Sequence, residues 1–331
     1  MADRERDEAF MRQALVAAAG VRGQTSPNPW VGAVVEPGGH IGATAPPGGP
    51  HAEIVALERA GAGARGATLY VTLEPCSHHG RTPPCAEAIV AAGITRVVVG
   101  IEDPDPHVAG SGIQHLREAG VEVEVGVLVH EVGDQLRPYL HHRRTGRPWV
   151  VLKMAMTLDG RSAAPDGSSK WITGPEARAD AHRLRAESDA VMVGAGTVRA
   201  DDPALTVRHA GGVNPARVVL GHAPADARVQ PAEALSGDPA EVLDLLGTKG
   251  MIQVLVEGGA TVAGELHRAR LVDEYVIYVA PALLGGDDGR PLLGGPGVAT
   301  MAEVWRGRLV GVDRLGDDVR IRVLAPESGG G

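Results

Sequence analysis

Cysteine occurs only twice in the 331 residues, so no disulfide framework is available and the chain reads as one made for a reducing cytoplasm. Aromatic residues are nearly as scarce, with a single Phe, so Ala, Val and Leu must fill the cores. No apolar run reaches the roughly 18 residues of a membrane span, and ALVAAAG, behind the mixed-charge start MADRERDEAF, is too short for a signal peptide. Basic excess is missing too. A formal net charge of −9 argues against a protein that wraps nucleic acid, so no nucleic-acid or membrane partner is expected. No Gly-x-Gly-x-x-Gly follows a strand, which removes an ordinary Rossmann dinucleotide site. What remains is an ordinary globular composition, long enough for two domains.

Against this background both cysteines fall in one short stretch, HAEIVALERAGAGARGATLYVTLEPCSHHGRTPPC, which runs from His51 to Cys85. One imidazole and two thiolates, from His51, Cys76 and Cys85, are three ligands for a zinc ion (Zn2+). Three protein ligands leave the fourth tetrahedral position to a water, whose pKa zinc lowers to about 7. Glu53 is then placed to carry a proton from that water to a leaving amine, outside the metal shell. H-x-E followed by P-C is the signature of zinc nucleobase deaminases. His51 and Glu53, two apart, point in different directions on a regular helix, so they can converge only if they straddle a helix start. Exposed N–H groups at the start of the helix after TPP should favour the thiolate of Cys85.

Eight residues, SHHGRTPP, separate the cysteines, where relatives in this superfamily have two. That wide spacing resembles the deaminase half of the bifunctional riboflavin-biosynthesis deaminase–reductases. The resemblance runs from Pro27 to about Val323. It implies an α/β chain: a cytidine-deaminase-like α/β/α domain over 1–146, then a dihydrofolate-reductase-like α/β domain over 147–331. It further implies substrate contacts at Asn28, in SPNP, and at Arg81, between the cysteines. DPDPHVAGSG (103–112) resembles a family loop and would suit an anion cradle at a helix start. Where many relatives have a histidine seven residues before the HAE motif, this chain has Thr44.

In the second half the resemblance implies NADPH. Substrate-side positions are Lys153, Ser169, Arg185, Leu205, Arg208 and Glu257. Cofactor-side positions are Ala155, Trp171, Thr197 and Asp201, followed by the run Gly259, Ala260, Thr261, Val262, Ala263, Gly264 and Glu265. Arg185 and Arg208 offer planar forks for a phosphate or a flat pyrimidinedione. VLVEGGATVAGEL reads as strand, glycine turn and helix, which aims N–H groups at a pyrophosphate. Lys153 and Asp201 are the candidates for proton transfer during reduction. The implied activity is deamination of 2,5-diamino-6-ribosylamino-4(3H)-pyrimidinone 5′-phosphate, then reduction of its ribosyl group to ribityl.

Element spacing supports this outline. Apolar periodicity predicts a helix over 7–19, and alternating strand and helix segments follow from Trp30 to Val127. A polar helix over 130–148 leads to a boundary near Gly146. Between Val207 and Val254 only one strand (ARVVLG) and one helix (PAEVLDLLG) are legible, where longer family members fit more. Strands at the C-terminus leave an edge suited to a homodimer formed through the second domain. Two other readings compete: a tRNA-modifying deaminase with an accessory domain, and a non-catalytic protein with structural zinc. The acidic balance and wide cysteine spacing speak against the first, and the three-ligand set against the second.

Overall fold

The first helix starts earlier than its apolar spacing suggests. α1 (Ala2–Ala19) buries Met11, Ala14 and Ala18 at intervals of three and four, yet it reaches back through the charged ADRERD segment. Asp7 is the reason. Its carboxylate is buried, accepts two bonds from Arg96 (2.9 and 2.8 Å) and takes a third from the Tyr70 hydroxyl (2.8 Å). A buried acid is tolerated when it is paired this way. The structure, a computed structural model, describes residues 2–77, 84–106, 108–208 and 211–326. Contacts divide the chain into two compact units, Met1–Gly146 and Arg147–Gly331.

In the first unit β1 (Gly32–Glu36) and β2 (His40–Ala43) form a hairpin, and α2 (Ala52–Ala60) follows. Then β3 (Thr68–Leu73), α3 (Cys85–Ala91), β4 (Arg96–Ile101), α4 (Ser111–Glu118) and β5 (Glu122–Val125) alternate before α5 (Val129–Thr145). The sheet order is β2-β1-β3-β4-β5, antiparallel at β1 and parallel from β3 to β5. β1 and β3 are buried on both faces, which explains their continuous apolar runs, AVV and LYVTL. Gly42 lets α2 lie against β2, since an added Cβ would collide with the Ala52 carbonyl. The metal-ligating stretch thus surrounds the C-terminal end of β3, with α2 and α3 starting beside it.

The second unit begins with β6 (Trp149–Thr157), β7 (Arg161–Ala163) and α6 (Pro175–Ala186). Next come β8 (Ala190–Gly194), α7 (Ala195–Asp201), β9 (Ala216–Leu220), β10 (Glu233–Leu235) and α8 (Pro239–Thr248). β11 (Gln253–Val256), α9 (Ala260–Arg268), β12 (Glu274–Ala280), β13 (Arg290–Pro291) and the hairpin of β14 (Arg308–Leu315) and β15 (Asp318–Leu324) complete it. Its main sheet runs β10-β9-β8-β11-β6-β12-β15-β14, parallel from β10 to β12 and antiparallel at β15 and β14. β7 and β13 pair separately. Aliphatic residues dominate both apolar clusters that flank this sheet, with Trp149, Tyr275 and Tyr278 as their buried aromatics. The sequence spacing missed β10, whose three residues are too few to show a period.

Candidate functional site

His51 is the N-cap of α2, with extended backbone (φ −73°, ψ 163°), while Glu53 lies in the first helical turn. The pair straddles the helix start, as their convergence requires. His51 Nδ1 lies 3.6 Å from Cys76 Sγ and 3.2 Å from Cys85 Sγ, and the three ligating atoms all fall within 4.8 Å of one another. Tetrahedral zinc with Zn–S near 2.3 Å and Zn–N near 2.0 Å separates its ligand atoms by about 3.5–3.8 Å, so the donor set fits the ion in kind and spacing. Among the described residues no other group of three such side chains gathers.

Ionisation inside the cluster departs from the sequence expectation. Cys85 opens α3, but its N–H donates to the Cys76 sulfur at 3.4 Å, so the helix start favours the thiolate of Cys76. Bonds from the Cys85 side chain and from His51 depress the Cys76 thiol to about 4, against the opposing effect of burial. Cys85 is pushed up by its bond to Cys76 and by burial. Cys76 also raises His51, chiefly by hydrogen bonding. A divalent cation would replace the protons these three groups share and take both sulfurs as thiolates. Glu53 is almost fully buried, and desolvation lifts its carboxyl to about 7.

The loop residues are less uniform. Asn28 closes a turn in which its N–H bonds the Thr25 carbonyl (2.9 Å) and its carbonyl accepts from Thr25 Oγ1 (3.0 Å). Its side chain has no partner among the described residues. Thr44 is buried, with Oγ1 bonded to the Val31 N–H (3.0 Å) and carbonyl (3.4 Å), and so serves the backbone of the hairpin. Arg81 lies outside the described residues. The 103–112 loop does cradle an anion, but that anion is internal. Glu74, two residues before Cys76, accepts the N–H groups of Gly110, Gly112 and Ile113. Sequence reasoning passed over Glu74, although a buried acid ending an apolar strand was a legible signal.

In the second unit Lys153 and the 205–208 segment lie near one part-buried ion pair, Arg185 with Glu257. Arg185 donates to both oxygens of Glu257 (2.5 and 2.9 Å) and to the Thr206 carbonyl (3.0 Å). Its fork was expected to be free for a phosphate and is instead engaged by Glu257. Burial raises the Glu257 carboxyl, but the Arg185 bonds and charge, aided by Lys153, hold it below its ordinary value. Lys153 lies 5.5 Å from the Tyr278 ring, and burial lowers its pKa with Glu257 opposing. Leu205 is buried with left-handed backbone (φ 50°), and the Arg208 N–H lies 3.1 Å from His182 Nδ1. Sequence reasoning missed His182, three residues before Arg185 and hence on the same helix face.

Of the cofactor-side positions, Thr197 and Asp201 follow β8 and the 259–265 run follows β11, its parallel neighbour. Thr197 Oγ1 accepts the Gly259 N–H at 3.1 Å and ties α7 to the start of α9. Trp171 is 71% exposed, with Arg178 4.7 Å from its ring centroid. Asp201, at the end of α7, pairs with Lys170 at 3.2 Å and forms no ion pair with Lys153. Ala155 lies opposite Tyr278 across the sheet, while Ser169 is half-buried in the loop after β7. Of the 259–265 run, Ala263 is fully buried in the core and Gly264 meets the Gly294 backbone. Those two therefore pack, and Val262 too lies against the apolar cluster. Val262 and Glu265 line a cleft of about 730 Å³ with Gly221 and Ser236.

Comparison with known proteins gives two family matches: residues 4–101 match the cytidine and deoxycytidylate deaminase zinc-binding region, and residues 148–321 match the RibD C-terminal domain. Riboflavin biosynthesis protein RibD of Mycobacterium tuberculosis (strain ATCC 25618 / H37Rv) is 45% identical over 340 residues, covering 96% of this chain and 97% of its own. The Bacillus amyloliquefaciens protein of that name is 40% identical over 361 residues, covering 98% of this chain and 97% of its own. That alignment is longer than the chain, so the relative carries segments this one lacks. Among solved structures, Acinetobacter baumannii RibD, form 1, superposes with a TM-score of 0.92 at 39% identity, covering 98% of this chain and all of its own. The Thermotoga maritima diaminohydroxyphosphoribosylaminopyrimidine deaminase/5-amino-6-(5-phosphoribosylamino)uracil reductase gives 0.90 at 34% identity, covering 98% of this chain and 100% of that one.

Proposed function

The chain belongs to the RibD family of bifunctional riboflavin-biosynthesis deaminase–reductases, which work with zinc and NADPH, and on that premise we propose how its two units divide the chemistry. The first unit deaminates 2,5-diamino-6-ribosylamino-4(3H)-pyrimidinone 5′-phosphate. The second reduces the product, 5-amino-6-(5-phosphoribosylamino)uracil, to its ribityl form. The observation that carries this reading is the convergence of His51, Cys76 and Cys85 beside the buried carboxyl of Glu53.

In the first unit His51, Cys76 and Cys85 would hold the ion, which supplies an activated water when bound. Glu53, buried beside these ligands, would carry the proton that the departing amine needs. Asn28, with its free amide, and Arg81 bind the substrate. In the second unit Glu257 and Arg185 form one rigid polar wall, and Ser169, Leu205 and Arg208 complete the substrate side. Lys153 and Asp201 remain the candidates for proton transfer at the sugar, each from its own side. NADPH would supply the hydride, and Ala155, Trp171, Thr197 and the residues at the start of α9 would hold it.

The long edge strand β14 exposes Leu309 and Val312, and we assign it as the surface on which two copies pair in the cytoplasm. No described helix is long and apolar enough to cross a membrane. The decisive assay gives the purified chain the diamino substrate and follows ammonia, then NADPH oxidation. A chelator should abolish ammonia release while reduction of the deaminated compound continues. Undiminished ammonia release after complete metal removal would overturn the metal-dependent reading.

A further inference from the structure

Among the described residues Glu74 accepts four hydrogen bonds, all from backbone. Its Oε2 accepts the N–H groups of Asp103 (3.2 Å) and Gly110 (3.0 Å), and its Oε1 accepts those of Gly112 (2.9 Å) and Ile113 (3.2 Å). The side chain is buried at the end of β3. Ala109 and Gly110 adopt left-handed backbone (φ 26° and 83°), the turn through which the start of α4 meets this one acid. Two further contacts fall on either side of Cys76. Gly112 lies against the Pro75 carbonyl, where an added Cβ would collide, and Ser111 Oγ is 2.6 Å from Ser77 Oγ. Residues 75 and 77 are therefore both fastened to the segment that Glu74 gathers, and Cys76 is the residue between them.

We infer that Glu74 is a positioning residue for deamination: by fastening Asp103 and the segment from Gly110 to Ile113 to the end of β3 it sets where Cys76 presents its sulfur. The inference rests on the metal-dependent reading of the first unit. An ionised carboxylate has the four acceptor positions this arrangement uses, whereas a glutamine amide would turn its own donors toward backbone donors. Glu74→Gln thus keeps size and removes the fit.

The test uses the full chain loaded with cobalt(II), whose visible bands respond to the angles between thiolate and imidazole ligands, and in parallel the zinc form. Glu74→Gln should retain one metal per chain but show shifted cobalt bands. Loss of metal to a chelator should be faster, and kcat for ammonia release lower, each by about 10–100-fold, the usual range when a residue supporting a ligand is altered. KM should hold, and NADPH oxidation with the deaminated compound should stay at the wild-type rate. Wild-type cobalt bands together with wild-type metal release would overturn the inference, whatever happened to activity. If Glu74→Gln does not fold, Ser111→Ala decides, since a smaller shift of the same bands supports the inference and an unchanged spectrum overturns it. Failure of the wild type itself to bind zinc or release ammonia would instead remove the reading beneath it.

Discussion

Removing the charge of Glu53 without changing its shape separates proton transfer from metal binding. Glu53→Gln should keep its zinc, measured by metal analysis, and lose ammonia release by about 10²–10⁴-fold, the range for a general acid–base group. A metal-free variant would place Glu53 among the ligands. Asp7 offers a test in stability. Hydrogen bonds from Arg96 hold its pKa below the ordinary value against the opposing effect of burial, with Tyr70 assisting. The unfolded chain therefore takes up this proton at a higher pH than the folded one, so the pair's stabilisation is full above about pH 4 and disappears as pH falls through the folded value. Because Arg96 keeps Glu122 and Glu124 as partners, Asp7→Asn should lower stability at neutral pH by about 1–3 kcal/mol in urea melts, and the gap from wild type should close in acid. The side chains that bear the chemistry, His51, Cys76 and Cys85 with Glu53 beside them, were legible because few residue types can bind zinc. The roles of Glu74 and His182 were harder to read, because their partners are mostly backbone atoms from distant sequence, and for Glu74 only its place at the end of an apolar strand gave a hint.

At the scale of elements, the alternation of strands and helices was legible wherever a segment ran long enough to show its period. Failures came where tertiary contacts decide: Asp7 draws α1 back through a charged segment, and β10 exists because β9 offers it a parallel edge. α9 shows how an element can be tested. Its Gly264 faces the Gly294 carbonyl with no room for a Cβ, and Arg268 bonds that same carbonyl at 2.7 Å. Gly264→Ala must shift the helix or the strand-free segment around Gly294, an overpacking that costs about 1–3 kcal/mol. Because Gly259 and Ala260 begin this helix, the variant should bind NADPH more weakly in titration while its ammonia release stays normal. Normal NADPH affinity would detach the helix from the cofactor site.

The order of the two reactions is a property of the whole molecule. A reductase pocket that donates to the pyrimidinedione carbonyl would meet the amine of the undeaminated substrate with donor against donor, at a cost of about 1–3 kcal/mol per unpaired group. Glu53→Gln should therefore stall with the diamino substrate yet reduce the deaminated compound normally. Brisk NADPH oxidation with the diamino substrate would reverse the order. The chain's poverty in aromatics also makes the second step observable without any label. It has four tryptophans, of which Trp30 and Trp149 are buried and Trp171 projects into water beside the proposed cofactor site. An indole in water emits to the red of one in an apolar core, so the long-wavelength edge of the fluorescence belongs largely to Trp171. Reduced nicotinamide absorbs where indole emits, and its arrival should dim that edge before the blue one, turning one exposed ring into an optical gauge of cofactor occupancy.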